Sequence, residues 1–171
     1  MARDPARGHA SLRWGRSSRP GTEYFLTFCT GQKQTGLTSP YIAGAILDEI
    51  RSMSVDGTWT VHCVVIMPDH VHVLLLLGAR LSLSKAVQRL KAKTSARLRF
   101  ASIGWERGFY DRQLRPDDDR LAIFLYIYLN PYRAGLLPDA AQWPHYYCRA
   151  EEWKWFRDML DSGRPYPEWL L

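Results

Sequence analysis

An α+β fold with one antiparallel sheet is predicted for this 171-residue chain by three observations. Aromatic and β-branched runs of strand length alternate with longer stretches of helical periodicity, two of the runs meet at a Pro-Asp turn, and no apolar run approaches the roughly 20 residues of a membrane-spanning helix. "EYFLTFCT" (23–30) favours a pleated surface and stops at Gly31, so it reads as a strand. "SPYIAGAILDEIRSM" (39–53) reads as a helix. Ser39 can cap it, Pro40 suits its first position, and Ile42, Ala43, Ile46, Leu47 and Ile50 recur at helical spacing. "TWTVHCVVIM" (58–67) and "HVHVLLLL" (70–77) make a hairpin across Pro68 and Asp69. "SLSKAVQRLKAKTSARLRF" (82–100) has good helix formers and neither Gly nor Pro, and is a second helix. "GFYDRQLR" (108–115) is a short fourth strand. "PDDDRLAIFLYIYLNP" (116–131) is a third helix whose acidic first turn suits the helix dipole, with Pro131 as its expected stop.

The first six elements follow the ferredoxin-like split βαβ (βαββαβ) order. The expected architecture is an antiparallel sheet with helices packed on one face, an additional C-terminal helix carrying tyrosines, and an irregular aromatic tail. Residues 1–21 are expected to be a flexible basic arm, 22–137 the folded domain, and 138–171 a tail packing on it, with four tryptophans and one short helix around 150–161.

A net charge of +6 and a pI near 9.4 favour a polyanionic partner. Cys29, Cys63 and Cys148 are odd in number, far apart and without a CxxC pair, which argues against a disulfide framework or a cysteine zinc site. The N-terminal arginines lead into no apolar segment of the secretory type, so a soluble, cytoplasmic protein without a membrane is expected.

Within "VVIMPDHVHVLLLL" (64–77), alternation puts His70 and His72 on one face of the strand and Val71, Val73, Leu75 and Leu77 on the other. Two neutral imidazoles side by side can converge on a divalent ion, their other nitrogens held by neighbouring acceptors. An isolated HxH is more often two hydrogen-bonded structural histidines, so a metal reading needs a third ligand and a reaction to serve. In the third helix, Leu121, Phe124, Leu125, Tyr128 and Leu129 make one apolar stripe that takes Tyr128 into the core. Tyr126 lies roughly 150° away from that stripe, on the face of Asp119, Ile123 and Asn130. A phenol there can attack a phosphodiester, and a nearby cation can neutralise the charge that develops on phosphate.

The strings "MPDHVHVLLL" and "YIYLNPYRAGLL", in this order and separated by some fifty residues, resemble the single-tyrosine HUH transposases, especially the REP-associated tyrosine transposases. The likeness spans roughly residues 22 to 148 and includes "WERGFYDRQLR". It implies that His70 and His72 bind the metal with Asn130, that Tyr126 is the nucleophile, and that Mg²⁺ or Mn²⁺ is the cofactor. It further implies cleavage and rejoining of single-stranded DNA beside a REP-like hairpin through a 5′-phosphotyrosine, by a bacterial monomer or homodimer acting at the nucleoid. Two positions depart from the pattern: Asp69 replaces the usual Asn, and Arg112 stands where many relatives have His. Those departures motivate an alternative, a ferredoxin-like DNA- or RNA-hairpin-binding protein with weakened catalysis.

Two basic surfaces are candidates for DNA. Lys85, Arg89, Lys93 and Arg97 form an i, i+4 row on the second helix, with Lys91 and Arg99 nearby. Arg13, Trp14, Arg16 and Arg19 combine cations with an aromatic ring in the N-terminal arm.

Overall fold

The central strands bury both of their faces, and the helices divide between those faces. A computed structural model of the chain describes residues 18–170. Its elements are β1 (Glu23–Cys29), α1 (Pro40–Val55), β2 (Trp59–Ile66), β3 (His70–Leu77), α2 (Leu83–Phe100), β4 (Tyr110–Gln113), α3 (Arg120–Arg133), β5 (Tyr146–Cys148) and α4 (Ala150–Phe156). All strand pairings are antiparallel, in the order β4-β1-β3-β2-β5. The first four strands thus take the arrangement expected of the split βαβ order, and Ser39 and Ser82 cap α1 and α2 through their side chains.

Four expectations are corrected. Helices cover both faces rather than one, because β2 and β3 are buried almost throughout and leave two apolar surfaces to cover. Residues of α1 and α2 pack with Val71, Val73 and Leu75 on one face, while α3, α4 and the C-terminal segment pack with Leu74, Cys63 and Val65 on the other. The tail is not wholly irregular either, since β5 pairs with β2 and extends the sheet. Third, Pro131 does not end α3. It lies in the last turn, and the helix closes at Gly135 (φ +66°), whose N–H donates to the Tyr132 carbonyl while that of Leu136 donates to Pro131. The acidic run precedes the helix instead of filling its first turn, and the Asp119 side chain caps it at the Ala122 N–H, 3.2 Å away.

The start of α3 is tied to the sheet by charge. Arg120 Nη2 lies 3.2 Å from Glu23 Oε1 and 3.3 Å from Glu152 Oε1, and the ring nitrogens of buried His62 lie 3.0 and 2.8 Å from the same two oxygens. Burial outweighs the two carboxylates and lowers the His62 pKa. Arg120→Met should leave two largely buried carboxylates without a cation. The expected cost is about 1–3 kcal/mol, read as a lower midpoint in urea or thermal unfolding of the full chain.

Candidate active site

The hairpin turn between β2 and β3 fixes where the imidazoles begin. The Met67 N–H donates to the His70 carbonyl at 2.8 Å, the Pro68 carbonyl accepts from Gly36 and Leu37, and the Asp69 carbonyl accepts from both the N–H and the hydroxyl of Thr30. From that turn, register pairs Cys29 with His70 and Thr27 with His72. His70 and His72 face α3, as alternation predicts, with ring centroids 4.7 Å apart.

Each imidazole is oriented through Nδ1. That atom of His70 lies 2.7 Å from Asp69 Oδ1, and that of His72 lies 2.7 Å from Thr27 Oγ1. With Nδ1 as the donor in both rings, each Nε2 presents a lone pair, and neither Nε2 has a hydrogen-bond partner among the described residues. This donor set fits a divalent cation. Burial first, and His70 second, push the His72 pKa down to about 3, so its ring is neutral near pH 7, the form a metal requires.

Helical geometry separates the two tyrosines of α3 as expected. Tyr128 is buried, its hydroxyl donates to the Gly163 carbonyl at 2.8 Å, and burial with the neighbouring Tyr132 pushes its pKa far up. Tyr126 is 46% exposed, and its hydroxyl has no hydrogen-bond partner among the described residues. Its ring meets His72 at 5.3 Å and Phe25 at 5.8 Å, and Phe25 stacks on His72 at 5.4 Å. The fold therefore brings Tyr126 to the histidine pair. Asn130 is half-buried one turn later, with its backbone carbonyl accepting from Ala134. Phe25 and Thr27 went unnoticed in the sequence, although alternation from buried Leu26 places both on the histidine face of β1.

The basic row of α2 lies across the sheet from this site, since α2 and α3 cover opposite faces. Arg89 is not available to a phosphate: it pairs with Glu49 Oε1 at 2.9 Å and Asp56 Oδ2 at 2.5 Å. Lys91 donates to the carbonyls of Glu106 and Gly108, and Arg97 rests on the Tyr41 ring. Lys85 and Lys93 are exposed. Arg13, Trp14 and Arg16 lie outside the described residues, and Arg19 is exposed, with its N–H donating to the Tyr24 hydroxyl.

The model of the IS200-like transposase family matches residues 19–113, a span that contains His70 and His72 and ends before Tyr126. A solved structure of a REP-associated tyrosine transposase bound to a REP hairpin superposes with a TM-score of 0.64 at 22% identity, covering 77% of this chain and 79% of that one. A Deinococcus radiodurans R1 protein assigned as a transposase gives a TM-score of 0.47 at 20% identity, over 74% of this chain and 95% of its own. No curated protein sequence matches.

The depressed His72 pKa has a consequence for stability. Below its ordinary value of 6.5 the unfolded chain binds a proton that the folded chain refuses until about pH 3, so stability present above pH 6.5 is lost as pH falls. This residue should contribute a slope of up to about 1.4 kcal/mol per pH unit. The difference between the slopes of His72→Gln and the parent chain, in urea unfolding at successive pH values, isolates it.

Proposed function

The chain belongs to the IS200-like transposase family, and from that premise we propose that it cleaves and rejoins single-stranded DNA beside a hairpin, with Tyr126 as the nucleophile. The observation that carries this reading is the contact of the exposed Tyr126 ring with His72, 5.3 Å between centroids, beside a second imidazole of the same strand. The structural relative's REP hairpin supports a folded single strand as the substrate class.

In the proposed reaction the Tyr126 Oη attacks phosphorus. The bond from phosphorus to the 3′ oxygen of the preceding nucleotide breaks, leaving a 3′ hydroxyl and a 5′ phosphate esterified to Tyr126. The phenolic proton leaves to solvent and the departing oxygen takes one up. Rejoining is the reverse, with a 3′ hydroxyl attacking the phosphotyrosine. His70 and His72 through Nε2, with Asn130, would hold Mg²⁺ or Mn²⁺. When bound, that ion would supply positive charge against the phosphate oxygens.

Asp69 and Thr27 hold the imidazoles in the ligating orientation, and they differ in kind. The carboxylate at His70 makes its ring the more electron-rich donor, while the hydroxyl at His72 is neutral. The departure at Asp69 therefore retains an acceptor for His70 and adds a charge.

Mixing the chain with a hairpin oligonucleotide and Mg²⁺ or Mn²⁺ should give a covalent protein–DNA adduct on a denaturing gel, absent in Tyr126→Phe. Salt-sensitive hairpin binding without adduct under any divalent ion would instead favour a binding protein that has lost turnover. Asp69→Ala should weaken Mn²⁺ binding in titration calorimetry by about 10- to 100-fold, with Asp69→Asn between it and the parent.

A further inference from the structure

The sheet face that carries the histidines continues past β1 to the edge strand β4, to which the proposed reaction assigns no role. Register pairs Thr27 with His72 on one side and with Tyr110 on the other, so Tyr110, Thr27 and His72 form one row across β4, β1 and β3. Directly paired residues share a face. At about 4.8 Å per strand the backbones of Tyr110 and His72 are roughly 10 Å apart. Arg112 shares the next row with Phe25 and Leu74.

The side chains make that row an aromatic strip. Tyr110 is 53% exposed and meets Phe25 edge-on at 6.5 Å, and Phe25 in turn touches both His72 and Tyr126. Tyr110 also lines a groove of about 670 Å³ that runs around the β4 edge, with Phe109, Arg112 and Arg115 in its wall and Ser84 of α2 beyond. Arg112 is held by Asp118 at 2.6 Å, and the same carboxylate accepts from the Arg115 N–H at 2.7 Å. The Arg115 guanidinium is exposed and makes no ion pair among the described residues.

We infer that this groove binds the single-stranded nucleotide next to the scissile phosphate, its base stacked on Tyr110 and its outer phosphate against Arg115, with Arg112 fixed as the wall between them. The inference rests on the reading of Tyr126 as nucleophile, because it takes direction from the distance between Tyr110 and the histidine pair. An exposed phenol continuous with the catalytic rings offers a flat face to any base, and an exposed guanidinium beside it offers charge for the backbone. A polypeptide strand added to the β4 edge is the competing occupant. Four residues, two of them the opposite charges Asp111 and Arg112, make a short and charged template for it.

The test uses the full chain carrying Tyr126→Phe, so that binding is read without cleavage, and hairpin oligonucleotides with 2-aminopurine at successive positions of the single-stranded flank. Fluorescence at one flank position should change on binding. Adding Tyr110→Ala should abolish that change and weaken affinity for the flanked hairpin by about 5- to 100-fold. Tyr110→Trp should restore both, and a hairpin trimmed of its flank should bind Tyr110→Ala as well as the parent. Arg115→Ala should weaken binding and reduce the slope of log affinity against log salt by about one. Hairpin binding in which no flank position responds to Tyr110 overturns the groove alone, as does a Tyr110→Ala chain whose only change is its oligomeric state. Absence of any hairpin binding overturns the transposase reading and the groove with it.

Discussion

The register of β3 against β1 is the constraint on which the rest of the site depends. A strand has only two faces, so a slip of one residue would turn His70 and His72 into the packing of α1 and α2 and move Val71 and Val73 to the α3 face. The turn that starts β3 makes such a slip costly. Two of its carbonyls, of Pro68 and Asp69, accept four donors from the segment between β1 and α1. Gly36 is one of those donors, at φ +138°, and a Cβ there would lie 2.3 Å from Ile103 Cδ1. Buried Thr30 is another, spending both its N–H and its hydroxyl on the turn. Shifting the strand would strip all of these partners at once.

Two imidazoles can stand in that strand because the face they occupy is only partly closed. Leu74, next along the same face, is fully buried under α3, whereas His70 is half-buried at the open end. His72 lies between, flanked by Phe25 and Tyr126, and burial there removes its tendency to take a proton. The same gradient sorts the tyrosines of α3. Tyr128 lies deep, and its hydroxyl is spent on the backbone. Tyr126, on the rim, has no hydrogen-bond partner for its hydroxyl among the described residues. The helix is held at its start by Arg120 between Glu23 and Glu152, and at its end by a glycine closure, so the rim position of Tyr126 is fixed from both directions.

Much of this was legible in the sequence because it depends on short periods. Alternation placed His70 and His72 together, and 100° per residue separated Tyr126 from Tyr128; both rules act within a few residues. What escaped depends on partners distant along the chain. Arg89 reads as one member of a basic row until Glu49 and Asp56, 40 and 33 residues away, are brought beside it by the packing of α1 on α2. Pro131 reads as a stop, yet α3 runs through it to Arg133, and the closing signal is Gly135 in the left-handed region. The fifth strand is three half-buried residues with no periodicity to detect. The second covered face follows from the near-complete burial of β3, where Leu74 breaks the simple contrast between a histidine face and a valine face.

The two-faced sheet also constrains how the basic surfaces can be used. Tyr126 and the exposed lysines of α2 are separated by the whole thickness of the sheet, so no compact ligand touches both through it. A ligand that reaches both must round an edge, and at the β2 side the edge is closed by β5 and the aromatic tail. At the β4 side no further strand pairs among the described residues, and the groove there is walled by residues from both faces: Tyr110 and Arg112 from the histidine face, Asp111 and Gln113 from the other, and Leu83 and Ser84 from the first turn of α2. Lys85 follows directly after Ser84 and is exposed. The wall of that groove is mixed, with Tyr24, Leu83 and Phe109 beside Arg112, Arg115 and Asp118. The opposite placement of α2 and α3 thus makes β4 the edge around which a single ligand would have to pass to meet both the exposed lysines and the histidine face.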